Sequence, residues 1–276
     1  MENIFIIILV LLLAGFAVAL WQSNKNMVKN TTTDKEETKN SEALSTTGAN
    51  NKNSSGEMVT YYKDIEGFYV EPESTNANTP GVVMMHEWWG LNDNIKDMAR
   101  ELAKQGYRVL AVNLYGVPAT TDRAEAQRLT SRTTKAETTA NMRAAVELLR
   151  SKGSSKIASL GWCYGGGKSL ELALSGEKLN GVVIYYGTPL VTDKNELVKI
   201  PAPVLGIFGR EDTAIPVEQV EQFQAGLVMN DIKNQIVIYP GVGHAFANPS
   251  GANYAPEATR DAWDKTLAFL KTNLSH

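Results

Sequence analysis

The stretch of this chain best suited to chemistry is Lys156–Ser169, KIASLGWCYGGGKS. An apolar run of strand length, Lys156–Leu160, leads into Gly161-Trp162-Cys163-Tyr164-Gly165 and then into residues able to continue as helix. This is the G-x-S-x-G pattern of a sharp strand-to-helix elbow, with cysteine in place of serine. The spacing has a physical cause. The elbow lifts the nucleophile above a sheet in a strained backbone conformation, and the two glycines let strand and helix approach without a side-chain clash. The helix N-terminus then offers N–H groups and a positive dipole end to a thiolate or an oxyanion. The plainer alternative is an inert, buried cysteine in a glycine-rich turn. Gly166-Gly167-Lys168-Ser169 also looks like the end of a phosphate-binding loop, but Gly161 stands one place too early for G-x-x-x-x-G-K-S.

A nucleophile of this kind needs a base, and the base an orienting acid. The apolar run Pro203–Phe208 ends in Gly209-Arg210-Glu211-Asp212, just before a helix expected near Pro216. That places Asp212 beyond a strand's C-terminal end, where α/β sheets carry their sites. The run Gln235–Tyr239 is followed by Pro240-Gly241-Val242-Gly243-His244, a glycine-rich loop at the next strand end. The order Cys…Asp…His is that of α/β-hydrolases. Taken singly, a loop Asp is a helix cap and a loop His a solvated side chain. A fourth segment, His86-Glu87-Trp88-Trp89-Gly90, follows the run GVVMM, where such folds place the second N–H of an oxyanion hole. A carboxylate there is partly buried, so Glu87 is expected to have a raised pKa or to pair with the thiol, with a salt bridge as the plain reading. His86 reads as a structural hydrogen-bonding residue.

The elements that must position these residues alternate along the chain. An antiparallel pair, VTYY and GFYVE, is joined through Lys63-Asp64-Ile65-Glu66. Near-continuous apolar runs follow at Gly81–His86, Arg108–Val112, Lys156–Leu160, Gly181–Tyr185, Pro203–Phe208 and Gln235–Tyr239, as a parallel sheet covered on both faces requires. Between them, Ile95, Met98, Ala99, Leu102 and Ala103 recur at helical spacing after the capping candidates Asn92 and Asp93. Met142, Ala145, Val146 and Leu149 repeat the pattern, and Trp263, Leu267, Leu270 and Leu274 carry it to the C-terminus. The expectation is an α/β fold with a mostly parallel eight-stranded sheet and helices on both faces.

The chain's 276 residues are 43% apolar and 21% charged, enough for one large domain or two small ones, and the net charge of −3 lacks the basic footprint of a nucleic-acid binder. One cysteine excludes an internal disulfide and a cysteine-cluster metal site, and three histidines (His86, His244, His276) leave little for a histidine-based one. The first 57 residues differ from the rest. Ile4–Trp21 is uncharged and nearly all apolar, roughly 27 Å long as a helix. It reads as an uncleaved single-span anchor within residues 1–21. A cleaved signal peptide is the alternative, because Ala17-Val18-Ala19 fits a cleavage site although a basic n-region is lacking. Residues 22–57 hold five lysines against five acids and no aromatic residue, and are expected to be a disordered tether. Lys25 and Lys29 after the span favour a cytoplasmic domain. The stalk-like tether, with acceptor patterns at Asn30-Thr31-Thr32 and Asn53-Ser54-Ser55, favours an extracytoplasmic one, the reading adopted. The folded domain is expected over residues 58–276.

That domain resembles the dienelactone hydrolase family of α/β-hydrolases, through HEWWG, GWCYGGG, GREDTAIP and GVGHAFAN in that order. The resemblance implies Cys163 as nucleophile, His244 as base, Asp212 as its orienting acid, and Glu87 as the group that deprotonates the thiol once substrate is bound. It implies an oxyanion hole from the backbone N–H groups of Trp88 and Tyr164, and a pocket lined by Tyr185; Trp89 and Asn248 are further candidates to face substrate, read from this chain's own residues. The implied reaction is cleavage of an ester or lactone through a thioester, with no metal or organic cofactor. Two of the family's features are missing. Its substrate-carboxylate arginines fall where this chain has Gly116-Val117, after Leu114-Tyr115, and Asn248, after His244-Ala245-Phe246-Ala247. Arg123 and Arg210 are the replacements that nearby loops offer. Trp88, Trp89 and Trp162 suggest an aromatic-walled pocket in place of an anion clamp, or ordinary core packing. The expected function is therefore an ester or lactone hydrolase acting through a Cys-His-Asp triad. Alternatives are a carboxylesterase or thioesterase for neutral substrates, a redox-sensing thiol, and a binding-only scaffold, the last disfavoured because all four site residues are kept.

Overall fold

A computed structural model of the chain describes residues 55–275. The expected span at 4–21 and nearly all of the tether lie outside the described residues. Among those described, no helix is long and apolar enough to cross a membrane. The first strand among the described residues, β1, begins at Glu57.

One eight-stranded sheet organises the domain, in the order β1-β2-β4-β3-β5-β6-β7-β8. β1 (Glu57–Tyr62) and β2 (Ile65–Val70) are antiparallel, and β2 joins β4 (Arg108–Val112) antiparallel. Their turn is tighter than expected. Ile65 and Glu66 belong to β2, leaving Lys63, at φ 51°, and Asp64 to reverse the chain. β3 (Gly81–Met85), β4, β5 (Ile157–Trp162), β6 (Gly181–Tyr185), β7 (Val204–Gly209) and β8 (Asn234–Tyr239) run parallel. β3 through β7 are buried along their whole length, which is why they read as unbroken apolar runs. β8 lies on an edge and is only half-buried.

The helices are α1 (Asp93–Lys104), α2 (Arg123–Arg132), α3 (Lys135–Ser151), α4 (Tyr164–Leu174), the single turn α5 (Lys194–Leu197), α6 (Val217–Met229) and α7 (Pro256–Leu274). Of the two capping candidates for α1, Asn92 is the N-cap, accepting from Ile95 N at 3.1 Å, and Asp93 is the acid of the first turn. α3 starts with a capping box between Thr134 and Glu137. The connection β3–α1–β4 steps one way along the sheet, and β4–α3–β5, β5–α4–β6 and β7–α6–β8 step the other way. Right-handed crossovers taken in opposite directions put α1 on one face and α3, α4 and α6 on the other. α7 shares the α1 face, where its Trp263 lines one cavity with Met98 of α1. The direction of travel reverses between β3 and β5, and that reversal is where open α/β sheets form their clefts. Glu87 follows β3 and Cys163 follows β5, so both stand at it.

Candidate active site

Cys163 sits between β5 and α4 at φ 53° and ψ −118°, a backbone region that costs a non-glycine residue free energy. The packing around it shows why the flanking residues are glycines. A Cβ on Gly161 would stand 2.1 Å from the Gly165 carbonyl oxygen, and one on Gly165 would stand 2.4 Å from the oxygen of Met85. Strand, turn and helix are in backbone contact. Cys163 N donates to Tyr185 O at 3.0 Å, which ties the elbow to the end of β6.

His244 lies in the loop after β8, and its Nδ1 is 2.7 Å from Asp212 Oδ2 while its Nε2 is 3.1 Å from Cys163 Sγ. Asp212 has a fully buried side chain, and its other oxygen accepts from Ala214 N at 2.8 Å and Ile215 N at 3.2 Å. Those two amides fix the carboxylate so that Oδ2 faces the imidazole. The two loops are also tied together through Arg210 N to Tyr239 O and Glu211 N to Val242 O. With Nδ1–H donating to Asp212, Nε2 is left to take a proton from sulfur. Burial lowers the pKa of His244, but the bonds to Asp212 and Cys163 outweigh it and raise the pKa to about 10.

Glu87 is 4% exposed, and its Oε2 accepts from Asn248 Nδ2 at 2.5 Å. Burial, only partly opposed by His244 and the Asn248 amide, pushes its carboxyl up to about 7. Asn248 is thus a partner of Glu87 on a buried wall, its Oδ1 accepting from Ser250 N at 2.9 Å. His86 is fully buried. Its Nε2 accepts from Leu114 N at 3.1 Å, so its Nδ1 donates to Glu87 O at 2.5 Å, pinning the β3 loop to the end of β4. Burial lowers its pKa to about 4. An imidazole folded neutral but protonated near 6.5 when unfolded withdraws stability as pH falls from 6.5 to 4, by about 3 kcal/mol in all. The His86 ring resonances should therefore stay in the neutral form at pH 5. A midpoint near 6.5 by NMR would contradict its burial as a neutral bridge.

The candidate oxyanion donors fall on either side of the sulfur's position in the sequence. Tyr164 is the first residue of α4, so its N–H has no acceptor within the helix. Trp88 follows Glu87 in a turn closed by Gly90 N to Glu87 O at 3.2 Å, a bond that does not use the Trp88 N–H. Trp88 and Trp89 pack at 4.7 Å between ring centroids, and the Arg123 guanidinium lies over Trp88 at 6.0 Å. Tyr115 donates to Trp88 O at 3.1 Å, and Tyr164 shares a hydrogen bond with Thr133 at 2.9 Å.

Two expected pocket residues lie on the face of the sheet covered by α1 and α7. Tyr185 and Trp162 are register partners at the ends of β6 and β5, so their side chains leave the same face of the sheet. Both line a cavity of about 440 Å³ between α1 and α7, and the Tyr185 hydroxyl is bound to Thr266 of α7 at 2.7 Å. The next residue, Tyr186, is the one beside the base, its ring 5.2 Å from that of His244. Sequence reasoning passed over it, although the Tyr185-Tyr186-Gly187 doublet places one tyrosine on each side. Lys168 likewise is committed away from any phosphate role, bound to Glu171 Oε2 at 2.8 Å and lying over the Tyr164 ring.

Comparison with known proteins agrees with this architecture. A sequence model of the dienelactone hydrolase family matches residues 65–274. A Saccharolobus solfataricus protein assigned as a carboxymethylenebutenolidase is 31% identical over 249 residues, covering 75% of this chain and 93% of its own. The structure of a Klebsiella pneumoniae protein assigned as a dienelactone hydrolase superposes with a TM-score of 0.72 at 25% identity, covering 78% of this chain and 97% of its own. A dienelactone hydrolase-like promiscuous phosphotriesterase from metagenomic libraries gives the same TM-score and identity, covering 79% and 98%. The chain belongs to the dienelactone hydrolase family, hydrolases of carboxylic ester bonds on the α/β-hydrolase fold.

Proposed function

We propose that the protein hydrolyses carboxylic esters or lactones through a thioester on Cys163, and that it prefers neutral substrates. The observation that carries this reading is the row Asp212–His244–Cys163, with contacts of 2.7 and 3.1 Å ending at a sulfur on a strained elbow. Glu87 and His244 are the groups able to accept the thiol proton. The thiolate attacks the acyl carbon, and the amides of Tyr164 and Trp88 stabilise the tetrahedral oxyanion. The alcohol or opened ring leaves from the carbonyl carbon, protonated by the imidazolium. His244 then takes a proton from water, which attacks the thioester and releases the acid and the free thiol.

The preference for neutral substrates rests on residue 248. Where the family has an arginine, Asn248 supplies a neutral amide already bound to Glu87. Arg123 stands by Trp88, but it is exposed, and an exposed cation holds a carboxylate weakly. Offered a neutral aryl ester and an anionic lactone, the full chain should turn over the ester at least about tenfold faster in kcat/KM, the equivalent of one weak charge-assisted bond. Turnover should vanish in Cys163→Ala together with the acyl adduct seen by intact mass. Activity that survives the loss of the cysteine would end the thioester reading. Asn248→Arg should shift the ratio toward the anionic lactone by roughly tenfold, and an unchanged ratio would mean that residue 248 does not meet the substrate.

The N-terminal reading rests on sequence alone. Residues 4–21 anchor the chain as a single span, with the catalytic domain outside the cytoplasm, or are removed as a signal. Protease accessibility in intact cells and the N-terminal sequence of the mature chain separate these.

A further inference from the structure

A cavity of about 10 Å³ lies between Glu87 and α1, walled by Asn94, Met98, Trp162, Tyr186 and Asn248 among others. That volume is about one water-sized sphere. Tyr186, in its wall, has a fully buried hydroxyl whose proton finds no acceptor, the Ala247 backbone amide being the donor that reaches its oxygen. Native proteins rarely leave a buried hydroxyl unpaired. The other polar groups at the cavity are largely committed. Asn248 gives its Nδ2 to Glu87 Oε2 and its Oδ1 to Ser250 N. Glu87 also lines the cavity, and its Oε1 is not engaged by that amide.

We infer that this cavity binds one water molecule, which accepts a hydrogen bond from the Tyr186 hydroxyl and donates one to Glu87 Oε1, making Tyr186 a positioning residue for Glu87. A water site needs at least two polar partners and room for one molecule, and a space of that size is lined here by Tyr186, Glu87 and Asn248. The groups facing Glu87 leave the water a defined role. His244, from the loop after β8, favours the carboxylate by its charge, and Asn248 donates to one oxygen. His86, its neighbour in the chain, is neutral and turned to the Glu87 backbone carbonyl. α1 contributes Asn94, Ile95 and Met98 to the cavity and β5 contributes Trp162, and none of these ionises. The water gives the second carboxylate oxygen the donor that no ionisable neighbour supplies. It thereby keeps Glu87 able to ionise in a site that otherwise opposes its charge.

The catalytic half of this inference rests on Glu87 serving as a base for the thiol, while the water site stands on the cavity and the hydroxyl alone. Tyr186→Phe in the full chain separates the two, because the ring is kept against His244 and Phe246 and only the hydroxyl is lost. With a bound water, the variant unfolds more readily, its unfolding equilibrium constant rising about tenfold. The acid limb of its kcat/KM profile also moves up by roughly half to one pH unit, a shift absent when Glu87→Gln is the background. A dry cavity gives a loss that is the same above pH 8 and below pH 4.5 and the same in the Glu87→Gln background, since only the Ala247 contact goes with the hydroxyl, whereas a bound water makes the loss larger where Glu87 is ionised. A pH-independent loss, or a limb that does not move, overturns the inference. If the wild-type chain turns over no ester at all, the pH dependence of the stability change still decides the water site, and the failure belongs to the proposed function.

Discussion

Cys163→Ala, His244→Ala and the double variant are expected to lose ester turnover to nearly the same extent, on the order of 10⁵-fold in kcat, or about 7 kcal/mol of transition-state stabilisation. The expectation follows from the contacts. His244 Nε2 is 3.1 Å from Cys163 Sγ, so in the proposed reaction the imidazolium holds the thiolate as an ion pair and protonates its leaving group. Removing the sulfur leaves the imidazole nothing to activate for the first step. Removing the imidazole leaves the thiol without its ion-pair partner and the thioester without a base for water. Once either is gone, deleting the second costs little more. Asp212→Asn should cost less, roughly 10²- to 10⁴-fold, because the ring stays in place but loses the acceptor that sets its tautomer. The check is a double-variant cycle on kcat with one ester. If the two single losses multiply in the double variant, the residues act independently and the triad reading fails.

Much of this site was legible because its chemistry is written in backbone terms. Gly161 and Gly165 mark the elbow for a reason visible without coordinates. The carbonyls that would meet a Cβ there belong to Gly165 itself and to Met85 in the next strand. Asp212 and His244 could be placed because each follows an apolar run by a few residues, and β7 and β8 are neighbouring parallel strands whose ends must open on one edge. What the sequence left hidden depends on which way a side chain leaves a strand end. Tyr185 and Tyr186 are adjacent and chemically identical, yet one faces α7 and the other His244. Trp162 shares its residue type with Trp88 and Trp89, but its register pairing with Tyr185 puts it on the face of the sheet covered by α1 and α7. The helix α2 escaped notice because only Ala126 and Leu129 are buried on it, too few to set a period. The partnership of Asn248 with Glu87 joins residues 161 positions apart, a distance no local pattern spans.

Glu87→Gln is expected to stabilise the protein and to disable it. Burial raises the Glu87 carboxyl to about 7, against an unfolded value of 4.5. Between these values the native state binds more protons than the unfolded chain, so this group's contribution is favourable below 4.5 and is lost as pH rises through 7. A shift of that size corresponds to about 3 kcal/mol. Glutamine does not ionise, and its side-chain oxygen can still accept from Asn248. The variant should thus match the wild type below pH 4.5 and exceed it by up to about 3 kcal/mol above pH 8, which for a domain of this size is roughly 6–12 °C in Tm. In the proposed reaction the same charge is what the chemistry uses. A base held at 4% exposure with a pKa near neutrality is poised to take a thiol proton and is costly to keep. Its loss should slow acylation by on the order of 10²- to 10³-fold while leaving hydrolysis of a preformed thioester, which the proposal gives to His244, nearly untouched. Thermal unfolding across pH reads the first half, and burst-phase kinetics with an aryl ester read the second. A variant that gains no stability at high pH would mean that Glu87 is not ionised at a cost in the native protein. If acylation and deacylation slow equally, Glu87 acts by shaping the site and not as the thiol's base.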